Sequence, residues 1–120
     1  MITWQEFLLE LDRCDVLRSA RTLAFEEYGK DIPITVLFGR LGRVLADHTE
    51  KLDADDRAHV FQVIENGMAS SEKVFKAYVA TGLLEALYSR ASRAGRWKQI
   101  EGCLGPLSTA YLMEWREPHS

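Results

Sequence analysis

The chain has 120 residues, a formal net charge of −3 and an apolar fraction of 47%. This length is typical of one domain, and the apolar fraction is too high for a disordered chain, which lacks the hydrophobic surface to offset the entropy of ordering. The slightly acidic balance argues against a nucleic-acid binder, which normally carries a basic face. We therefore expect one globular domain over residues 1–120.

The number of cysteines and the lengths of the apolar runs predict the cellular compartment of the protein. Cys14 and Cys103 are too few for a disulfide scaffold, and both lie beside apolar helical positions, so we expect reduced thiols. The first residues lack the layout of a signal peptide, and no apolar run approaches the roughly 20 residues that cross a bilayer. We expect a cytoplasmic protein with no membrane partner, although a protein exported by a signal-independent route would look the same.

Apolar residues recur at every third or fourth position, which predicts amphipathic helices and no strands. A first helical region starts at Thr3, which can form a capping box with Glu6, while Ile2 would contribute to a hydrophobic staple. The apolar stripe changes phase at residues 14–15, so either one long helix bends there or two shorter helices meet. Gly29 is the expected end of this region.

The next two helices have polar starts. We expect Asp31 to cap a second helix, with Pro33 in its first turn, and Asp53 to cap a third. The third helix should end at residues 66–67; if Gly67 is the left-handed residue of that stop, Met68 can pack back on Val63.

The rest of the chain also reads as helical. A fourth helix, capped by Ser70 or Ser71 and closed at Gly95, has a broad apolar face and is expected at the centre. A short helix over 97–103 and a last helix over 106–116 follow. Five to seven short-linked helices predict an all-α fold, a compact single-domain bundle or an irregular helix array.

Motifs for metal binding or catalysis are missing from the sequence. There is no CxxC, HExxH or GxSxG pattern, and the three histidines, His48, His59 and His119, are far apart. We expect no metal, no cofactor and no catalytic residue, and therefore no enzyme.

Two basic segments have structural explanations. Residues 39–43 (GRLGR) continue a helical stripe, so the glycines are expected to permit close helix packing and the arginines to face solvent, in preference to a phosphate-binding loop. Arg90, Arg93, Arg96 and Lys98 fit a solvated helix end, where the dipole favours cations. Phosphate or nucleic-acid binding by this second cluster is the less favoured interpretation.

Acidic and aromatic residues are the better candidates for contacts with another protein. Asp55 and Asp56 would stabilise the positive end of the third helix, and they could also face a basic partner. Tryptophan is enriched at interface hot spots. Trp97 has a basic residue on either side and is expected to be exposed, whereas Trp115 lies on an apolar stripe and is expected in the core.

Three stretches of the C-terminal half stand out by their order and spacing: 63–68 (VIENGM), 80–87 (ATGLLEAL) and 104–111 (LGPLSTAY), which runs on to Trp115. Together they resemble a family of small uncharacterised bacterial helical proteins, some of which look like immunity proteins of polymorphic toxin or contact-dependent systems. These motifs are mostly capping and packing residues.

The resemblance implies a cytoplasmic protein that binds a cognate toxin domain and blocks its active site. The first candidates for the contact with the toxin are acidic or aromatic residues that we expect to be exposed: Asp55, Asp56, Glu65 and Trp97. Interfaces of this kind bury about 1,600 Å² in total, and a few anchor residues dominate the binding energy.

Two other functions stay open. A self-associating scaffold or regulatory protein would form a dimer through an apolar helix face, with Gly39 and Gly42 as a possible centre. A small-ligand carrier or an enzyme would need a concave pocket that holds polar groups. The sequence leaves the oligomeric state open.

Overall fold

Seven helices make up most of the computed structural model, which describes residues 3–116. In chain order they are α1 (Trp4–Leu11), α2 (Asp15–Tyr28), α3 (Ile34–His48), α4 (Ala54–Met68), α5 (73–93), α6 (Trp97–Glu101) and α7 (Pro106–Arg116). A 3₁₀ turn, Thr49–Lys51, follows α3. No strand occurs in the described part of the chain, so the all-α prediction of five to seven helices is confirmed.

Several helix ends lie where the sequence predicted them. The Thr3 side chain accepts a hydrogen bond from the Glu6 N–H at 3.2 Å, and α1 and α2 meet as two separate helices. Gly29 and Gly95 adopt φ angles of +81° and +73°, which favour glycine at helix ends. The staple residue Ile2 lies outside the described residues.

Two predicted caps are wrong. Helix α3 starts after Pro33, whose φ and ψ of −60° and 137° are extended, so Asp31 does not cap it. The residue before a proline is restricted to extended conformations, which keeps Ile32 out of the helix. At the start of α5, Glu72 accepts from the Val74 N–H, whereas Ser70 accepts from the Glu72 N–H and forms a turn ahead of the helix.

The predicted left-handed stop at Gly67 is also wrong, because α4 continues through Met68. A Cβ atom added at Gly67 would lie 3.0 Å from Val79 Cγ2 and 3.2 Å from Phe7 Cε2. This glycine therefore serves close packing within the core and not a change of chain direction.

Helices α3 and α5 form the centre of the fold. On α3, Phe38 stacks on Phe7 of α1, with ring centroids 5.3 Å apart, and Tyr78 of α5 meets Phe38 edge-on. Helix α5 is continuous but has three stretches: Lys73–Ala77, a π-helical Tyr78–Leu84, and Glu85–Arg93. The broad apolar face predicted for this helix is buried, which confirms its central position.

Glycines allow α3 and α5 to approach closely. A Cβ added at Gly42 would collide with the Leu83 carbonyl oxygen and lie 3.1 Å from Ala86 Cβ. On the opposing helix, a Cβ added at Gly82 would lie 2.9 Å from Phe38 Cβ. The packing interpretation is therefore confirmed at Gly42; of the two arginines expected to face solvent, Arg43 is exposed, whereas Arg40 is half-buried and forms an ion pair with Glu27.

Replacement of Gly42 by alanine should destabilise the fold. We expect the free energy of unfolding to fall by about 1–3 kcal/mol, because the added methyl group overpacks the crossing of α3 and α5. Alanine has a higher helix propensity than glycine, so helix propensity alone would stabilise the variant. A loss of stability would therefore come from the packing. Urea denaturation measures the change.

Gly102→Ala is the matched control, since a Cβ there meets nothing within 4 Å and its φ of −71° suits alanine. The control should change stability by less than about 0.5 kcal/mol. Equal effects of the two substitutions would show that the close approach does not limit stability.

Candidate functional site

Two acidic side chains at the start of α4 form what we call the acidic edge, Asp55 and Asp56. Asp53 holds this turn, because its Oδ1 accepts from the Asp56 N–H at 2.8 Å. Asp55 is exposed and Asp56 half-buried, and within residues 3–116 neither carboxylate has a basic partner. The predicted cap is confirmed, and the two charges lie on a fixed helix end.

Glu65, a third candidate, is engaged inside the fold. Its Oε2 accepts from the Leu107 N–H at 2.7 Å, and its Oε1 accepts from the N–H and the hydroxyl of Ser108 at 3.0 and 2.8 Å. The carboxylate thus caps α7 from α4. A Cβ at Gly105 would lie 2.6 Å from Glu65 Cγ, so the glycine makes room for this contact.

Trp97, the fourth candidate, is half-buried and less accessible than its basic neighbours suggested. Its ring meets Tyr88 edge-on with centroids 4.9 Å apart, and Trp115 meets the same tyrosine at 5.7 Å. The indole N–H of Trp97 is buried and has no hydrogen-bond partner within the described residues. The structure thus places Trp97 in an aromatic cluster, with Trp115 also only half-buried.

The structure brings together a basic cleft that the sequence only partly indicated. It has a volume of about 500 Å³ and opens to solvent. The cleft is lined by residues from the C-terminal ends of α3 and α5, from the 3₁₀ turn and from the segment before α6. These residues are Asp47, His48, Lys51, Arg90, Arg93, Ala94 and Arg96. Four cationic side chains and one carboxylate carry a net charge of +3 with His48 neutral.

Asp47 organises the arginines of the basic cleft. Its Oδ1 and Oδ2 accept from Arg90 Nε and Nη2 at 2.9 and 3.0 Å, and its main-chain carbonyl accepts from Arg96 Nη1 at 2.8 Å. The hydrogen bond from Arg90 lowers the pKa of the Asp47 carboxyl below its usual value, and the nearby positive charges add to this effect.

Sequence spacing identified only part of this cleft. Arg90, Arg93 and Arg96 were recognised as a cluster, but Lys98 does not line the cleft. Lys51 and Asp47 lie about 40 residues earlier in the chain and reach the cleft only because α3 packs along α5. No local pattern in the sequence could have revealed them.

An apolar groove adjoins the basic cleft at His48, which lines both. Its volume is about 390 Å³, and Val16, Ala20, Leu23 and Val44 contribute to its wall. Leu23 in this wall is 54% exposed.

The described residues contain neither a cluster of metal-binding side chains nor a helix that could span a membrane. Among residues 3–116 there is no group of three or more His, Cys, Asp or Glu side chains placed to hold a metal ion. In the same part of the chain, no helix has both the length and the apolar character to cross a membrane.

Comparison with known proteins gives no relative: no family model, no curated protein and no solved structure shows a significant match to the chain. The resemblance to immunity proteins is therefore a prediction that no known relative tests.

Replacement of Glu65 by alanine should destabilise the fold through the start of α7. We expect a loss of about 1–2 kcal/mol in the free energy of unfolding, because two backbone N–H groups lose their acceptor. Glu65→Gln retains one acceptor oxygen and should lose less. Thermal and urea denaturation measure the difference.

Glu114→Ala removes the same charge from an exposed position of α7 and serves as the control. It should change stability by less than about 0.5 kcal/mol. If Glu65→Ala were as mild as the control, the cap would contribute nothing to the fold.

Proposed function

We propose that this chain is a protein-binding immunity protein that binds and neutralises a cognate bacterial toxin domain in the cytoplasm. The proposal assigns it no catalytic step. Its support from the sequence is the resemblance in the C-terminal half. Its support from the structure is the acidic edge, whose carboxylates have no basic partner within residues 3–116.

The acidic edge carries the proposal because Asp55 and Asp56 place two carboxylates side by side on one capped helix turn, without a basic partner within residues 3–116, whereas several other acidic groups are paired. Asp12 bonds to Arg21, Asp15 to Arg18 and Glu27 to Arg40, each by a hydrogen-bonded ion pair; Glu10 contacts His59, and Asp47 and Glu65 are engaged as described above. Among the described residues, the positive end of α4 is the only favourable electrostatic environment of Asp55 and Asp56, since Asp53 supplies the cap.

A fixed pair of unneutralised charges suits recognition of a basic partner. Such charges steer a partner of opposite sign into contact and raise the association rate more than they raise affinity. Because the helix turn is capped, its backbone loses little conformational freedom on binding. A basic toxin surface, such as a cleft for an anionic substrate, has the matching chemistry.

The self-associating scaffold receives less support. Gly39 and Gly42, the suggested centre of a dimer face, are buried against α5 in the same chain. A second copy could reach them only if the central helix pair separated.

The substitution pair Asp55→Lys and Asp56→Lys should slow association with the toxin. The toxin is sought as the product of the neighbouring gene, and binding is measured by surface plasmon resonance. We expect a fall of about tenfold in the association rate at low salt, with a smaller effect at high salt, because steering is screened by ions.

Glu26→Lys with Asp31→Lys gives the same change in net charge on another exposed surface. This control should retain the association rate within about twofold. Asp55→Asn with Asp56→Asn tests the same edge with less disturbance of α4. Equal slowing by both lysine pairs, or a neighbouring gene product that does not bind, would refute the proposal.

A further inference from the structure

We propose that the basic cleft is a binding site for a small multivalent anion bearing phosphate groups. The inference is independent of the proposed function, which places its contact at the acidic edge of α4. It rests on the fixed geometry of the arginines, on their free donors and on the charge that the fold concentrates there.

The cleft is organised before any ligand arrives. Arg90 is held by two hydrogen bonds to the Asp47 carboxylate, and Arg96 by one to the Asp47 carbonyl. A planar guanidinium that is already fixed loses little further entropy when it binds an anion. The same carboxylate neutralises only one of the four cations.

Donors remain available around the cavity. Arg93 uses its Nε to bond the Ser89 carbonyl at 3.3 Å, which leaves its two terminal amino groups for a ligand. Lys51 comes from the 3₁₀ turn on another wall, and its ammonium has no partner within residues 3–116. Guanidinium groups match phosphate oxygens in geometry, and ammonium groups add a point charge.

The charge distribution points to a multivalent ligand. The cleft carries +3, whereas the whole chain carries −3, so the remainder of the chain carries −6. The fold therefore concentrates positive charge against the overall balance of the protein. A monovalent anion would leave most of this charge uncompensated, and a ligand with several phosphate charges would neutralise it.

The lining also favours a small ligand over a macromolecule. Every side chain in the lining except Ala94 is polar or charged. The centres of protein interfaces are depleted in charged residues, so this lining does not resemble such a centre. Sites for single-stranded nucleic acid add aromatic side chains on which bases stack, and this cleft has none apart from His48. Its volume of about 500 Å³ lies within the range of small-molecule sites.

Isothermal titration calorimetry with inorganic tripolyphosphate tests the inference on the whole chain. At constant ionic strength we expect saturable binding with one site per chain. The pair Lys51→Ala and Arg93→Ala should weaken binding by about tenfold or more, because two charge-assisted contacts are removed. Both residues are exposed, so the variant should keep the far-ultraviolet circular dichroism of the parent.

The control pair is Lys73→Ala with Lys76→Ala, which removes the same charge from the opposite end of α5, about 25 Å away along the helix. It should keep the affinity within about twofold. The inference is overturned by the absence of saturable binding, by equal weakening in both pairs, by sulfate binding as tightly as tripolyphosphate, or by tighter binding of a single-stranded oligonucleotide.

Discussion

The close crossing of α3 and α5 is the contact on which the rest of the structure depends. Gly42 and Gly82 remove the side chains that would keep the two backbones apart, and the π-helical stretch of α5 lies at the same place. Backbone contact of this kind gives dense packing and tolerates almost no added volume. Helix α2 packs along α3, and α4 and α7 contact the π-helical stretch of α5.

The same crossing positions the surface features. The C-terminal ends of α3 and α5 lie side by side, so Asp47 on one helix bonds Arg90 on the other. The 3₁₀ turn that leaves α3 brings Lys51 to the same cleft, and α4 begins three residues later with the acidic edge. Opposite charges thus occupy neighbouring segments of the chain, each fixed by a helix end.

Local signals in the sequence predicted most of the fold. Apolar spacing located the helices, and Thr3, Asp53, Gly29 and Gly95 marked their ends, because each of these four residues acts on the helix turn next to it in sequence. The predictions at Asp31 and Gly67 were wrong for different reasons. The first neglected the restriction that a proline places on its predecessor, and the second concerned a glycine that tertiary packing requires.

The site was harder to predict because its residues meet only through tertiary packing. Glu65 looked like a free surface carboxylate, yet it caps a helix that begins 41 residues later, at Pro106. Trp97 had charged neighbours in sequence but aromatic neighbours in space. Three of the seven residues that line the basic cleft come from α3 and its following turn, about 40 residues before the others, a distance that no sequence motif spans.

Native-state hydrogen exchange tests the central claim most directly, because it measures the opening free energy of each backbone amide. The amides of residues 41–45 and 83–87 should exchange only through global unfolding, with opening free energies equal to the free energy of unfolding from denaturant titration. Exchange of these amides through local opening, while the amides of α1 or α7 remain protected, would contradict the claim that the α3–α5 crossing holds the fold together.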